Sequence, residues 1–277
     1  MVARQAPPAM RRRLQRRVLA RLSASKLAQM VFVDPPFGCA INGFVARNGR
    51  HREFVMASGD MSDPEVVVCF AAFMMTMQSH LDRGALVQLV FDWRSLPLLL
   101  DATRPIFGKL VNLAVWVKDR AGMGSYLRSR HELVLIFMTP GKMRNNVELG
   151  MHGRDRTSVW KYPSARSFDP ASDEGDLLQH HPTPKLAKLV AHAILDCARR
   201  GDIVFDAFLG SARRRSRPSG WGTCYGLDLD PLYVDLAVRR WQAWTGLTAT
   251  HAETGVRFDT MSIAAETEAV LKAALTA

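Results

Sequence analysis

The segment Val31-Phe32-Val33-Asp34-Pro35-Pro36-Phe37 joins a short apolar strand to an acid, two prolines and an aromatic ring. In an open α/β sheet, ligands bind beyond the carboxyl ends of the strands, so a site is expected here. The two prolines fix the backbone and remove two N–H donors, which leaves carbonyl oxygens beside the Asp34 carboxylate. These acceptors next to a ring suit an amino group on a flat heterocycle. The alternative is a strand ended by a proline turn, with Asp34 as a cap.

Other apolar runs of strand length recur along the chain between turn residues. The predicted strands are Met30–Val33, Ala85–Phe91, Leu113–Val117, Leu133–Phe137, Ile203–Phe205 and Cys224–Leu229. The predicted helices run from a capping box at Ser62–Glu65 to about Leu81, from Pro184 to Arg200, and from Pro231 to about Thr245. Strands that alternate with helices predict an α/β fold with a mostly parallel sheet covered on both faces.

The composition is that of a globular protein, with 277 residues of which 48% are hydrophobic. Its net charge of +11 is local, because residues 1–30 carry eight basic residues and no acid. A second run, Arg213, Arg214, Arg215 and Arg217, adds four positive charges. The remaining residues are therefore slightly acidic in sum, and the net charge does not by itself indicate a nucleic-acid partner.

Cysteine usage and hydropathy restrict the class of protein further. The four cysteines, Cys39, Cys69, Cys197 and Cys224, lie far apart without the spacing of zinc ligands, so neither a metal site nor a disulfide framework is expected. The apolar runs are too short, or too interrupted by charge, for a membrane span or a signal segment. We therefore expect a cytoplasmic protein with no membrane partner.

Four stretches of the chain resemble, in matching order, the motifs of amino-group DNA methyltransferases. Asp34-Pro35-Pro36-Phe37 is similar to the D-P-P-[YF] catalytic motif. Residues 181–185 (HPTPK), 201–211 (GDIVFDAFLGS) and 225–233 (YGLDLDPLY) resemble the motifs around the cofactor. The resemblance covers roughly residues 29–255, with the catalytic half before the cofactor half.

The resemblance implies a Rossmann-like, S-adenosylmethionine-dependent methyltransferase fold in which residues 29–277 form the methyltransferase domain and residues 1–28 a basic arm. The implied reaction is methylation of the exocyclic amine of a base flipped out of double-stranded DNA. Bacterial adenine-specific enzymes are the most similar, since cytosine-N4 enzymes commonly carry S-P-P and methylases of RNA or protein amides N-P-P. The expected product is therefore N6-methyladenine, made by a restriction-modification enzyme.

The resemblance also assigns roles to individual residues. Asp34 and Pro35 would accept the N–H groups of the target amine, with Pro36 holding the turn and Phe37 stacking on the base. The expected cofactor-binding residues are Asp206, Phe208, Gly210, Ser211 and Asp228, with Thr183 and Lys185 lining the same pocket. Asp228 would accept the ribose hydroxyls; a helix N-cap is the alternative role, which Asp230 fits better.

Residues 138–182 lose the regular periodicity, and a segment of about 45 residues without regular elements is too long for an ordinary connection. We expect it to be a small irregular recognition segment. Its candidates for DNA contact are Arg144, Asn145, Asn146, Arg154 and Arg156. The alternative is a solvated loop.

Residues 212–220 depart from the family pattern. The family continues with G-T-T, a turn of small residues before a helix, whereas this chain has ARRRSRPSG. Written in GC-rich codons, these nine residues become GTTPLAAER after a shift of one base. A compensated frameshift is therefore one hypothesis. If the segment is genuine, the chain is a catalytically impaired DNA-binding relative with a damaged cofactor loop.

Overall fold

The structure is a computed structural model that describes residues 26–36, 61–122, 126–151, 154–164, 185–210 and 223–261, together with Arg21, Gly59 and Ser167. Its centre is a seven-stranded sheet in the order β5-β3-β4-β2-β1-β6-β7. The strands are β1 (Ala28–Val33), β2 (Leu81–Phe91), β3 (Lys109–Val117), β4 (His131–Met138), β5 (Val159–Lys161), β6 (Ile203–Asp206) and β7 (Thr223–Gly226). The helices are α1 (Asp63–Gln78), α2 (Leu96–Phe107), α3 (Ala187–Leu195) and α4 (Pro231–Thr245).

The sheet is mostly parallel, as the sequence predicts. Strand β1 pairs in parallel with β2 on one side and with β6 on the other. Only β4 runs against its neighbours, β2 and β3, among the described strands. The chain builds outward from β1 in one direction through β2 and in the other through β6 and β7. The β1–β6 junction is therefore the switch point at which open α/β sheets bind ligands.

Alternate residues of β1 enter two different hydrophobic cores. Val31 and Val33 pack on one face of the sheet, in the core that includes side chains of α1 and α2. Met30 and Phe32 pack on the other face, in the core that includes side chains of α3. Side chains of a strand point alternately to opposite faces, so a strand buried on both faces is apolar throughout. Full burial of each such side chain contributes about 1.5–3 kcal/mol.

The helix signals in the sequence are largely confirmed. In α1, the Glu65 carboxylate accepts hydrogen bonds from the Ser62 backbone N–H at 2.8 Å and from its hydroxyl at 2.7 Å, which completes the expected capping box. Helix α4 has the predicted bounds, and Asp230 caps it by accepting the Leu232 N–H at 3.0 Å. Helix α3 is shorter than predicted.

Three features of the fold are not expected from the sequence. Helix α2 contains Pro97 in its first turn and Pro105 in its last, so turn-forming residues obscure its pattern. The irregular segment contains β5, which pairs in parallel with β3. Strand β7 ends at Gly226 and not at Leu229. Within the described part of the chain, the helices are too short or too polar to cross a bilayer.

Candidate active site

Acidic residues meet at the carboxyl edge of the sheet. Asp34 follows β1, and Asp206 ends the neighbouring parallel strand β6. Asp228 lies two residues beyond β7, the next strand in the sheet. The structure therefore brings the predicted catalytic acid and two predicted cofactor acids to adjacent strand ends. Pro35 is buried, whereas Asp34 and Pro36 are partly exposed.

Lys185 binds Asp34 directly. Its Nζ lies 3.0 Å from Asp34 Oδ1 and 2.7 Å from Glu132 Oε2. The Lys185 side chain is only 6% exposed, and the two carboxylates are 20% and 12% exposed. The other oxygen of Glu132 pairs with Lys118. Lysines and carboxylates thus alternate along this edge of the sheet, in the order Lys118, Glu132, Lys185, Asp34.

The pKa values of this group follow from burial and opposite charge. Burial alone would lower the pKa of Lys185, but the Asp34 and Glu132 carboxylates outweigh it and raise the pKa above the ordinary value for lysine. Burial would raise the pKa of Glu132, but Lys185 and Lys118 bring it well below the ordinary value. Glu132 and Lys185 are therefore both charged at neutral pH.

The loop after β6 is fixed by hydrogen bonds to the end of β7. The Leu227 N–H donates to the Asp206 carbonyl oxygen at 2.8 Å, and the Leu209 N–H donates to the Leu227 carbonyl oxygen at 2.8 Å. Gly210 adopts a φ of 53°, which favours glycine, and its N–H donates to Asp228 Oδ2 at 2.8 Å. The side chain of Asp206 accepts the Phe208 N–H at 3.1 Å. A short, ordered loop thus lies beside the strand ends.

Asp228 and Asp230 have different structural roles. Asp228 Oδ1 accepts the Asp230 N–H at 2.8 Å, so the Asp228 carboxylate joins the loop after β6 to the start of α4. Burial raises the pKa of Asp228, partly offset by these backbone hydrogen bonds. Because Asp230 is the helix cap, the alternative of an N-cap role for Asp228 is not needed.

The Phe208 side chain is partly buried and packs against the core beside α1. Its ring centroid lies 4.8 Å from that of Phe73 and 6.3 Å from that of Phe70, both on α1. The packed ring fixes the backbone of the loop from Asp206 to Gly210. Phe37, Thr183 and Ser211, the other predicted catalytic and cofactor residues, lie outside the described residues, as do residues 212–220 and most of the basic arm.

The candidates for DNA contact make bonds within the protein. Arg144 lies 2.6 Å from Asp202 Oδ2 and 3.6 Å from Asp82 Oδ2. Both acids lie at the amino ends of their strands, whereas Asp34 lies at a carboxyl end. The Asn145 side chain accepts backbone N–H groups of its own turn. Asn146 donates to two carbonyl oxygens just beyond α3 and at its end, at 2.8 and 3.1 Å.

The two remaining candidates, Arg154 and Arg156, differ in exposure. Arg154 lies 3.1 Å from Glu148 Oε2, and both side chains are about half exposed. Arg156 lies 2.9 Å from Asp196 Oδ2 and covers the ring of Trp160. Arg156 therefore fastens the segment to α3, whereas Arg154 faces solvent.

Glu132 and Lys118 are members of the site that the sequence analysis did not identify. Glu132 lies near the start of β4 and pairs in register with Trp116 of β3. Because β4 is antiparallel, its amino end meets the carboxyl ends of β2 and β3. The sequence signal would have been an acid at the start of one strand and a lysine after the preceding strand. That signal indicates a shared site only when β4 is known to run antiparallel to β3.

Several solved structures share this fold at low sequence identity. The cytosine-N4-specific PvuII DNA methyltransferase has a TM-score of 0.59 and 16% identity, over 81% of this chain and 83% of its own. The M1.HpyAVI complex with S-adenosylmethionine has a TM-score of 0.55 and 14% identity, over 82% and 95% of the two chains. The protein TTHA0409 from Thermus thermophilus, complexed with S-adenosylmethionine, has a TM-score of 0.54 and 18% identity, over 83% and 90% of the two chains.

The fold is therefore that of the S-adenosylmethionine-dependent methyltransferases, as expected from the sequence. The profile of the N6/N4 methyltransferase family, described as DNA methylase, matches residues 28–223. The chain belongs to this family of amino-group DNA methylases, whose cofactor is S-adenosylmethionine. No curated protein sequence matches the chain significantly.

Proposed function

We propose that the chain transfers a methyl group from S-adenosylmethionine to the N6 amine of an adenine flipped out of double-stranded DNA. The observation that carries the proposal is the position of Asp34 and buried Pro35 at the β1–β6 switch point, next to the Asp206 and Asp228 strand ends. A base and a cofactor bound at this edge would lie side by side.

The acceptors at Asp34 and Pro35 suit the chemistry of an exocyclic amine. The lone pair of such an amine is delocalised into the ring, so the nitrogen attacks only when its N–H groups are held out of the ring plane. The Asp34 carboxylate and the Pro35 carbonyl oxygen would accept those N–H bonds and direct the lone pair to the methyl group. The N–C bond would form as the S–CH3 bond of the sulfonium breaks and S-adenosylhomocysteine leaves, and Asp34 would take the proton that the amine loses. The transfer is direct, so no covalent enzyme intermediate is needed.

The loop at Asp206–Gly210 fits S-adenosylmethionine. That cofactor supplies an electrophilic methyl group on a sulfonium centre. Asp206 would bind its amino group and Asp228 its ribose hydroxyls, while the backbone at Gly210 allows close approach. Thr183 and Ser211 would complete the pocket. Phe37 would stack on the flipped base, which offsets part of the few kcal/mol lost on unstacking.

The choice of adenine depends on Asp34, since an aspartate stands where cytosine-N4 enzymes commonly have serine. The test is methylation of unmodified DNA with tritiated S-adenosylmethionine, followed by digestion to nucleosides and chromatography. The expected labelled product is N6-methyladenine, and Asp34→Asn should abolish it. Asp101→Asn, at an exposed position on α2, is the matched control. Label in N4-methylcytosine alone would overturn the choice of base.

DNA contact through residues 138–182 is part of the proposal. Arg154 is the candidate with the most exposed position, and Arg144, Asn145, Asn146 and Arg156 would act by holding the segment in shape as well as by any phosphate contact. As a DNA-modifying enzyme the protein would act in the cytoplasm, with a restriction-modification system as its proposed setting.

A second candidate function is DNA binding without methyl transfer. It is favoured by the sequence of residues 212–220, where ARRRSRPSG replaces the family's small-residue turn. Titration with S-adenosylmethionine tests it, because micromolar binding would show that the loop works as it stands. Absence of binding, restored when residues 212–220 are replaced by GTTPLAAER, would favour the second candidate. Sequencing of the coding DNA tests separately whether a one-base frameshift accounts for residues 212–220.

A further inference from the structure

The four alternating charges at the carboxyl edge come from four separate parts of the fold. Lys118 follows β3, Glu132 lies in β4, Asp34 follows β1, and Lys185 lies just before α3. Lys185 connects the two carboxylates, because its ammonium lies 3.0 Å from that of Asp34 and 2.7 Å from that of Glu132. The contact joins the second half of the chain to the predicted catalytic acid in the first half.

The arrangement is balanced in charge. A buried ammonium without partners is strongly unfavourable, and Lys185 avoids this through its two carboxylates. Two carboxylates around one ammonium would leave an excess negative charge, which Lys118 neutralises at Glu132. The Trp116 ring lies against both lysines, 5.6 Å from Lys185 Nζ and 4.7 Å from Lys118 Nζ. Breaking one contact should therefore disturb the others.

We propose that Lys185 is a positioning residue for methyl transfer, which holds the Asp34 carboxylate in the orientation that the target amine requires, and that Glu132 and Lys118 hold Lys185. Lys185 binds Oδ1 of Asp34, which fixes the plane of the carboxylate and hence the direction of Oδ2. This inference rests on the proposed function. It differs from the cofactor-lining role expected for Lys185, because the contact is with the catalytic acid.

The experiment measures kcat and KM of Lys185→Ala with DNA and S-adenosylmethionine. A misdirected acceptor should lower kcat on the order of 100-fold while both KM values stay near those of the wild type. Lys188→Ala is the matched control, because Lys188 lies on α3 three positions later and is exposed. Glu132→Gln should lower kcat by a smaller factor, since it keeps the shape of the side chain.

Chemical rescue separates positioning from a structural role. Propylammonium added to Lys185→Ala should occupy the space between the two carboxylates and restore part of kcat, whereas propanol of similar size should not. A structural defect would respond to neither. Unchanged kcat in Lys185→Ala, or rescue by both additives alike, would overturn the role of Lys185.

A measurement without substrate tests the contact itself. Urea unfolding of Lys185→Ala, Asp34→Asn and the double variant should give non-additive shifts of the midpoint, while Lys188→Ala combined with Asp34→Asn should be additive. Additive shifts for the first pair would contradict the proposal whatever the activity. Non-additive shifts in the variants, combined with no methyl transfer to DNA by the wild-type chain, would instead overturn the proposed function, and the catalytic role of Lys185 with it.

Discussion

Gly210 donates its backbone N–H to the Asp228 carboxylate, 2.8 Å away, so an acid just beyond β7 fixes the loop that follows the neighbouring strand β6. The same carboxylate accepts the Asp230 N–H through its other oxygen. Asp228 thus has a structural task in addition to its proposed bond to the cofactor. A comparison of Asp228 with Asp230 tests whether loss of cofactor binding is specific to Asp228.

Asp228→Ala should weaken S-adenosylmethionine binding by tenfold or more, about 1.4 kcal/mol, because the loop loses its anchor and the ribose its proposed acceptor. Asp230→Ala removes the N-cap of α4 and should cost about 1 kcal/mol of stability with little effect on binding. Calorimetric titration and urea unfolding measure the two effects. Equal loss of binding in both variants would argue against a cofactor role for Asp228.

Arg154 and Arg144 should respond differently to alanine substitution. Arg154→Ala should weaken DNA binding at all sequences alike and reduce the slope of log K against log salt by about 1, as expected for one lost phosphate contact. Arg144→Ala should instead lower the free energy of unfolding, because it leaves the Asp202 carboxylate without its arginine. Salt-dependent fluorescence titration and urea unfolding test this. An unchanged salt slope for Arg154→Ala would remove Arg154 from the DNA interface.

Gly84→Ala should destabilise the fold strongly. A Cβ at Gly84 would lie 1.9 Å from the Lys142 carbonyl oxygen, and its φ of 75° disfavours any L side chain. The expected cost exceeds about 3 kcal/mol, because the clash is with backbone. Gly108→Ala is the control, since its φ of 71° is similar but, among the described residues other than its chain neighbours, nothing lies within 4 Å of the added Cβ. Its cost should be smaller, about 1–3 kcal/mol, the strain of the backbone conformation alone. Similar losses in urea unfolding for both variants would rule out the clash as the cause.

Asp196 should make stability fall as the pH rises from about 4 to about 6. Burial raises the pKa of Asp196 to about 6, although Arg156 opposes the shift, whereas the unfolded chain has a pKa of about 3.9. Between these values the folded state binds the proton more tightly, so deprotonation destabilises it. The difference in unfolding free energy, Asp196→Asn minus wild type, should therefore increase across this pH range. A difference independent of pH would show that the pKa of Asp196 is not raised.

The parts of the fold that follow a local rule could be predicted from the sequence. The apolar run at Met30–Val33 lies within the observed β1, because a strand buried on both faces needs apolar residues throughout. The capping box at Ser62 and the N-cap at Asp230 are bonds between near neighbours in the chain. Such signals depend on a few adjacent residues and survive in any surroundings.

The parts of the fold that depend on tertiary contacts could not be predicted from the sequence. The direction of β4 decides that Glu132 lies beside Lys185, and residues 53 positions apart give no local sign of this. Helix α2 escapes prediction because Pro97 suits only a first turn and Pro105 lies inside the helix, where a proline removes a backbone hydrogen bond and normally indicates a break. The bonds of Arg144 to Asp202 and of Arg156 to Asp196 likewise join segments that meet only in the folded protein.

The β1–β6 junction joins two sets of strands that are each continuous in sequence, five from residues 28–161 and two from residues 203–226. The link between them is a parallel ladder at Val31 and Phe205, extended by the Ile203 N–H bond to the Gln29 side chain at 2.7 Å. These contacts do not depend on which set is synthesised first. A circularly permuted gene that encoded the second set before the first could therefore build the same sheet edge, with Lys185 still reaching Asp34.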